Sequence, residues 1–259
     1  MKFSLNNRVA LVTGAGSGLG RSSCITLAKD NIKIIACSRN FKKLVSLKEE
    51  IDQINNKNNI IVKVDFEKKS QFKSFLKKIK TFKPDIVLNN LGGTLNIRDP
   101  LASARDWQKV IYFNLLVAIE INRHAIPYMK KKKWGRICHV SSISSLENQG
   151  APSYCASKSA LNAYVRSVGR FIAEDNIVMT SVMPGPIMIK GGYWDNVKKN
   201  NYPHYKKFVN ERLAIKRFGK PEEITDVISF LCSEKSSFCV GSCFLVDGGQ
   251  GRSFYPVEF

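Results

Sequence analysis

The chain has 259 residues, 44% of them hydrophobic, enough apolar material to bury one large core. Lys and Arg total 41 against 21 Asp and Glu, a formal net charge of +20, yet the lysines fall in scattered pairs and only Lys130 to Lys133 form a run, which reads as charge spread over solvated surface rather than a specific nucleic-acid site. No apolar stretch approaches the roughly 18 residues of a membrane span, and no hydrophobic run of signal-peptide length opens the chain. The expectation is a cytoplasmic protein with no membrane partner.

Seven cysteines occur without C-x-x-C spacing, and three histidines (His124, His139, His204) stand far apart. The cysteines read as reduced core residues, His139 as a packed strand residue, and a metal site finds no support. Cys155, beside Tyr154, lacks a placed histidine base and does not read as a nucleophile.

In chain order, seven apolar runs read as strands, beginning near Val9, Lys33, Ile60, Asp85, Arg136, Ile177 and Ser242, mostly separated by helical periodicity. That alternation predicts an α/β fold: one doubly wound (Rossmann) domain over 1–259, with about seven parallel strands and helices on both faces.

The first run, Val9 to Val12, leads into Thr13, Gly14, Ala15, Gly16, Ser17, Gly18, Leu19 and Gly20, followed by an apolar-periodic stretch through Leu27 and Ala28. A strand, a glycine turn and a helix in that order bring backbone N–H groups and a helix N-terminus to a phosphate. The spacing G-x-x-x-G-x-G with no following Gly-Lys-Ser/Thr argues against a nucleoside triphosphatase.

Tyr-x-x-x-Lys occurs three times, at Tyr128/Lys132, Tyr154/Lys158 and Tyr202/Lys206. Only the second has a serine pair, Ser141 and Ser142, closing an upstream strand (Arg136 to Val140) and a helix opening at the tyrosine. Positions i and i+4 share a helix face, so the Lys158 charge can favour a Tyr154 phenolate. A free tyrosine has a pKa of about 10, and each unit of lowering corresponds to about 1.4 kcal/mol. Tyr128/Lys132 reads as solvated helix surface, and Tyr202/Lys206 as a coincidence in an irregular polar segment.

These clusters resemble the short-chain dehydrogenase/reductase family, with its 3-oxoacyl-carrier-protein reductase-like members, from Arg8 to about Asp247. The resemblance implies a catalytic tetrad of Asn114, in a helix Trp107 to Met129, with Ser142, Tyr154 and Lys158. Tyr154 would exchange a proton with the substrate oxygen, Ser142 would hydrogen-bond that oxygen, Lys158 would hold the ribose and tune Tyr154, and Asn114 would anchor a relay water. The usual serine-to-tyrosine spacing points to Ser141, whereas the strand end points to Ser142. We favour Ser142, because a strand end fixes side-chain direction more firmly than a loop fixes a count.

The resemblance further implies a nicotinamide dinucleotide on Gly14, Ser17, Gly18, Leu19 and Gly20, with Asp65 reading the adenine amino group. Asn90 and Gly92 would line the same groove, Tyr154 and Lys158 would meet the ribose, and Pro184, Gly185 and Ile187 would cover the nicotinamide. Two departures stand out: Leu91 replaces a small residue, and Ile189 replaces a threonine that usually contacts the cofactor. After the second strand, Ser38 stands where an NAD-preferring relative has an acid, and Arg39 offers a planar donor set to a 2′-phosphate. NADP(H) is therefore the expected cofactor, with NAD(H) the lesser alternative.

The segment of about 188–215 would form a substrate lid, with Gly191 and Gly192 as hinge, aromatics including Trp194, and cations including Lys190 and Lys198. Aromatics beside cations suit a polar or anionic carbonyl/alcohol substrate, sugar-derived or a 3-oxo acyl chain on an acidic carrier. Family analogy implies a homotetramer or homodimer through helices at roughly Ser103 to Lys131 and Tyr154 to Glu174. The alternatives on this fold are a catalytically inactive nucleotide sensor and a basic nucleic-acid-binding protein. Retention of both Tyr154 and Lys158 disfavours the sensor.

Overall fold

The structure is a computed structural model describing Leu5 and residues 7–147 and 149–252; the ends of the 1–259 domain reading lie outside the described residues. Among the described residues, seven strands form one sheet in the order β3-β2-β1-β4-β5-β6-β7. They are β1 (Val9–Thr13), β2 (Lys33–Ser38), β3 (Ile60–Lys63), β4 (Ile86–Asn89), β5 (Gly135–Val140), β6 (Ile177–Pro184) and β7 (Cys243–Val246). Every pairing is parallel.

Alternate residues of each strand feed opposite faces. In β1, Ala10 and Val12 enter one core with Leu27, Leu44 and Ile228, while Leu11 enters the other with Phe75, Ile121 and Val165. The first face is covered by α1 (Gly18–Lys29), α2 (Phe41–Ile54) and α9 (Pro221–Leu231), the second by α3 (Lys69–Phe82), α5 (Val117–Lys132) and α6 (Pro152–Ile172). Burial on both sides explains why the strands read as continuous apolar runs rather than alternating ones. The strand order reverses between β1 and β4, and a crevice at the carboxyl ends of strands at such a reversal is where doubly wound sheets take ligands.

Three local features depart from the sequence reading. The helix expected over Trp107 to Met129 is α4 (Ala104–Ile111) and α5 joined by a π turn, Tyr112–Leu116, at whose centre Asn114 is buried. Tyr202 and Lys206 lie in a helix, not an irregular segment: α8 (Tyr202–Arg212) starts where the Asn201 side chain accepts from His204 N, with Pro203 in the first turn. A side-chain cap and a proline with preset φ initiate that helix although its sequence is polar. Tyr128 and Lys132 do sit on α5, but Lys132 Nζ bonds buried Asp85 Oδ1 at 2.6 Å. Among the described residues no helix is long and apolar enough to cross a membrane, and all seven cysteines are free thiols.

Candidate active site

The glycine turn is held by the end of β4. Thr13 Oγ1 accepts from the Asn90 and Leu91 N–H groups, each at 3.1 Å, and Asn90 Nδ2 donates to the carbonyls of Thr13 (3.0 Å) and Gly14 (3.3 Å). Gly14 has φ +65°, and a Cβ there would lie 2.8 Å from Asn90 Nδ2; a Cβ on Gly20 would strike the Gly14 carbonyl oxygen. Side chains at these two positions would unmake the turn. Ser17, at the start of α1, forms no side-chain cap, so the first N–H groups of the helix face outward without an internal acceptor from that residue.

Beyond the turn lies a cavity of about 390 Å³ lined by Gly16, Ser38, Arg39, Asp65 and Gly92. Ser38 Oγ accepts from Asn40 N at 3.3 Å, and Asp65 Oδ1 accepts from Glu67 N at 3.1 Å. Arg39 is 71% exposed and reaches Glu67 only at 3.5 Å. The groove continues into a second cavity of about 320 Å³ lined by Leu19, Gly92, Lys158, Pro184 and Ile187. A glycine cradle that a Cβ would fill, an uncapped helix start and a loosely held arginine together fit a phosphate-bearing dinucleotide. Ile189 covers the turn instead of offering a hydroxyl, its Cδ1 3.3 Å from where a Gly18 Cβ would stand. Leu91 packs toward the second core.

At the ends of β5 and the start of α6 the serine pair divides. Extended backbone turns successive side chains to opposite sides, and Ser142 is extended (φ −166°, ψ 154°). Ser141, 3% exposed, donates inward to the Lys158 carbonyl at 3.3 Å. Ser142 accepts from Ser144 N at 3.1 Å, hydrogen-bonds Tyr154 and lines the cavities.

Tyr154 and Lys158 share a face of α6, with Lys158 Nζ 5.7 Å from the Tyr154 ring centre. Lys158 is 2% exposed, and its Nζ donates to the Val140 carbonyl at 2.7 Å. Burial pulls its pKa from 10.5 down to about 7. Crowding by protein raises the Tyr154 hydroxyl, and the bond to Ser142 partly opposes this. The hydroxyl is thus held protonated, the opposite sense to the lysine-lowered phenolate read from the i, i+4 spacing. The first cause is the burial of the hydroxyl itself, which Lys158, engaged by the Val140 carbonyl, does not offset.

Asn114 faces the same point from the π turn. Its Nδ2 donates to the carbonyls of Gly93 (2.8 Å) and Val110 (2.9 Å), and its Oδ1 accepts from Gly93 N at 2.9 Å. A Cβ on Gly92 would lie 2.8 Å from both Asn114 Oδ1 and Lys158 Nζ, so Asn114, Gly92 and Lys158 meet around one backbone loop. Behind them, buried His139 is engaged with Asn122 Nδ2 at 3.1 Å, and burial lowers its pKa to about 3.

A third cavity, of about 760 Å³, opens beyond Ser142 and Tyr154 under α7 (Tyr193–Asn200) and α8. Trp194 packs on Phe208 (4.2 Å between ring centres) and Phe218 (4.9 Å), and with Tyr193 and Phe208 it forms an aromatic wall. The lid cations do not line this cavity: Lys198 Nζ lies over the Tyr205 ring at 5.5 Å and Lys199 pairs with Asp195 at 2.9 Å. Sequence reasoning missed three residues that do, Arg98, Gln149 and Gln250. They come from separate loops, and no local motif marks them.

The short chain dehydrogenase family model matches residues 8–194. The chain is 33% identical over 252 residues to 3-oxoacyl-[acyl-carrier-protein] reductase of Buchnera aphidicola, covering 96% of this chain and 99% of that one. It is 29% identical to acetoacetyl-CoA reductase of Cupriavidus necator, covering 95% and 98%. L-sorbose reductase of Gluconobacter frateurii, solved with NADPH and L-sorbose, superposes with a TM-score of 0.88 at 26% identity over 96% of this chain and 98% of that one. The chain therefore belongs to the short-chain dehydrogenase family and is an oxidoreductase acting between alcohol and carbonyl groups.

Proposed function

We propose that the chain interconverts a ketone and its secondary alcohol with NADP(H), through Asn114, Ser142, Tyr154 and Lys158 and without a metal. The observation that carries this reading is that Ser142 and Tyr154 line both the cavity continuing the glycine groove and the larger cavity beyond it. When bound, the dinucleotide supplies a hydride to the carbonyl carbon, or accepts one in the reverse direction. In reduction, the Tyr154 hydroxyl would give its proton to the carbonyl oxygen, so that ketone, hydride and proton together make the alcohol and Tyr154 is left as the phenolate. Ser142 donates to that oxygen and holds it at Tyr154. Lys158 holds the ribose hydroxyls, and Asn114 with Gly93 anchors the water that returns a proton to Tyr154.

NADP(H) over NAD(H) rests on Arg39 and on Ser38 in place of an acid. The relatives act on sugar-derived and 3-oxoacyl ketones, and this substrate belongs with one of those classes. The reading includes one domain with its lid at about 188–215, a homotetramer or homodimer through α4, α5 and α6, and a cytoplasmic location suited to seven free thiols. The test is titration with NADPH and NADH followed by a coenzyme-oxidation screen across ketone classes. NADPH binding with turnover of one class is expected; absence of dinucleotide binding would overturn the reading.

A further inference from the structure

The cavity beyond Tyr154 has more polar equipment than the transfer of a hydride requires. Gln250, just past the pair Gly248 and Gly249 that follows β7, is 6% exposed and lines the cavity. Its Nε2 donates to Gln149 Oε1 at 2.5 Å, whereas its Oε1 has no hydrogen-bond partner among the described residues. A buried amide oxygen without a donor is costly, and structures normally satisfy one. That oxygen is itself covered, so a donor on a molecule in the cavity meets it only by a turn of the Gln250 amide.

Arg98, on the loop after β4, is the one charged side chain lining this cavity among the described residues. Its guanidinium carbon lies 5.4 Å from the Tyr193 ring centre, within cation–π range, and no carboxylate pairs with it among the described residues. The aromatic face orients the planar fork without using up its N–H donors, which leaves a ready site for a carboxylate or phosphate.

We propose that the cavity takes a small hydroxylated ketone bearing a carboxylate or phosphate, the anionic group on Arg98 and one hydroxyl donating to Gln250 Oε1, with the carbonyl at Ser142 and Tyr154. This rests on the ketone-reductase reading above and narrows it. An acyl chain would place methylene groups against Gln250 and leave its oxygen unpaired, so the 3-oxoacyl class fits this wall less well. The two relevant discriminations differ in kind. Removing a hydrogen-bonding group from a site built for it is read strongly, whereas adding a methylene is read weakly.

The test compares kcat/KM with NADPH for L-sorbose, L-sorbose 6-phosphate, 5-ketogluconate and acetoacetyl-coenzyme A, in wild type, Arg98→Gln and Gln250→Leu, with NADPH affinity and thermal unfolding recorded for each. The expected result is preference for a hydroxylated anion, with sorbose phosphate against ketogluconate deciding between phosphate and carboxylate. Arg98→Gln should raise KM for that anion at least about tenfold, less at high salt, and raise it far less for the neutral sugar. Gln250→Leu should raise KM for the charged and neutral sugars alike. If Gln250→Leu fails to fold, the Arg98 variant alone decides. Best turnover of the acyl thioester, or the same charge preference in Arg98→Gln as in wild type, would overturn the proposal while leaving the reductase reading intact. NADPH binding without turnover of any ketone would overturn both.

Discussion

Lys158 Nζ reaches the Val140 carbonyl at 2.7 Å, tying the ammonium on α6 to the last residue of β5 and away from water. The link fixes Lys158 beneath Tyr154 and sets a cost on its charge. Its folded pKa is about 7 against an ordinary 10.5. Between these values the unfolded chain binds more protons, so the penalty is absent above 10.5, grows as pH falls, and is complete below about 7.

Wild type should therefore gain stability relative to Lys158→Met as pH rises from 7 to 9.5, at no more than about 1.4 kcal/mol per pH unit. Urea unfolding of both proteins at the two pH values measures this, because other titrating groups cancel in the difference. Parallel pH profiles would remove the claim that Lys158 is held partly neutral by burial.

The division of Ser141 from Ser142 predicts opposite phenotypes. Ser142→Ala should lower turnover at least about tenfold with little change in stability, since its hydroxyl faces the cavities. Ser141→Ala should lower stability by up to about 1 kcal/mol through loss of the inward bond to the Lys158 carbonyl, and affect turnover less. Turnover and denaturant midpoints for the two variants decide the matter, and a larger turnover loss at Ser141 would reverse the assignment.

Arg39 is held only at 3.5 Å by Glu67 and is largely exposed, so it can turn into the groove at small cost. Ser38→Asp/Arg39→Ile should shift the NADPH-to-NADH preference toward NADH by at least about tenfold, the loss of a charge-assisted phosphate contact. An unchanged preference ratio would mean that Arg39 is only a solvated residue at the end of β2.

The parts legible in the sequence are those where backbone and chemistry coincide. Buried strands announce themselves as apolar runs, the glycine turn demands positive φ at Gly14 and Gly18, and the spacing of Tyr154 and Lys158 is set by helical pitch. The π turn at Asn114 was not legible, because it changes a hydrogen-bond register without changing apolar periodicity. Helix α8 was obscured by its polar composition, although Asn201 and Pro203 carried start signals. Assigning anion recognition to the lid lysines followed proximity in sequence. The cavity wall instead draws on Arg98, Gln149 and Gln250, which only the sheet topology brings together.

The central claim is that Tyr154 supplies the proton in carbonyl reduction, and its most direct test is NADPH oxidation by Tyr154→Phe with the best ketone of the screen. The ring keeps its packing and loses only the hydroxyl bonded to Ser142. The account predicts turnover lower by at least about a hundredfold, the scale of a positioned proton donor, with NADPH affinity and folding near wild type. Turnover close to wild type in that folded, NADPH-binding variant would contradict it.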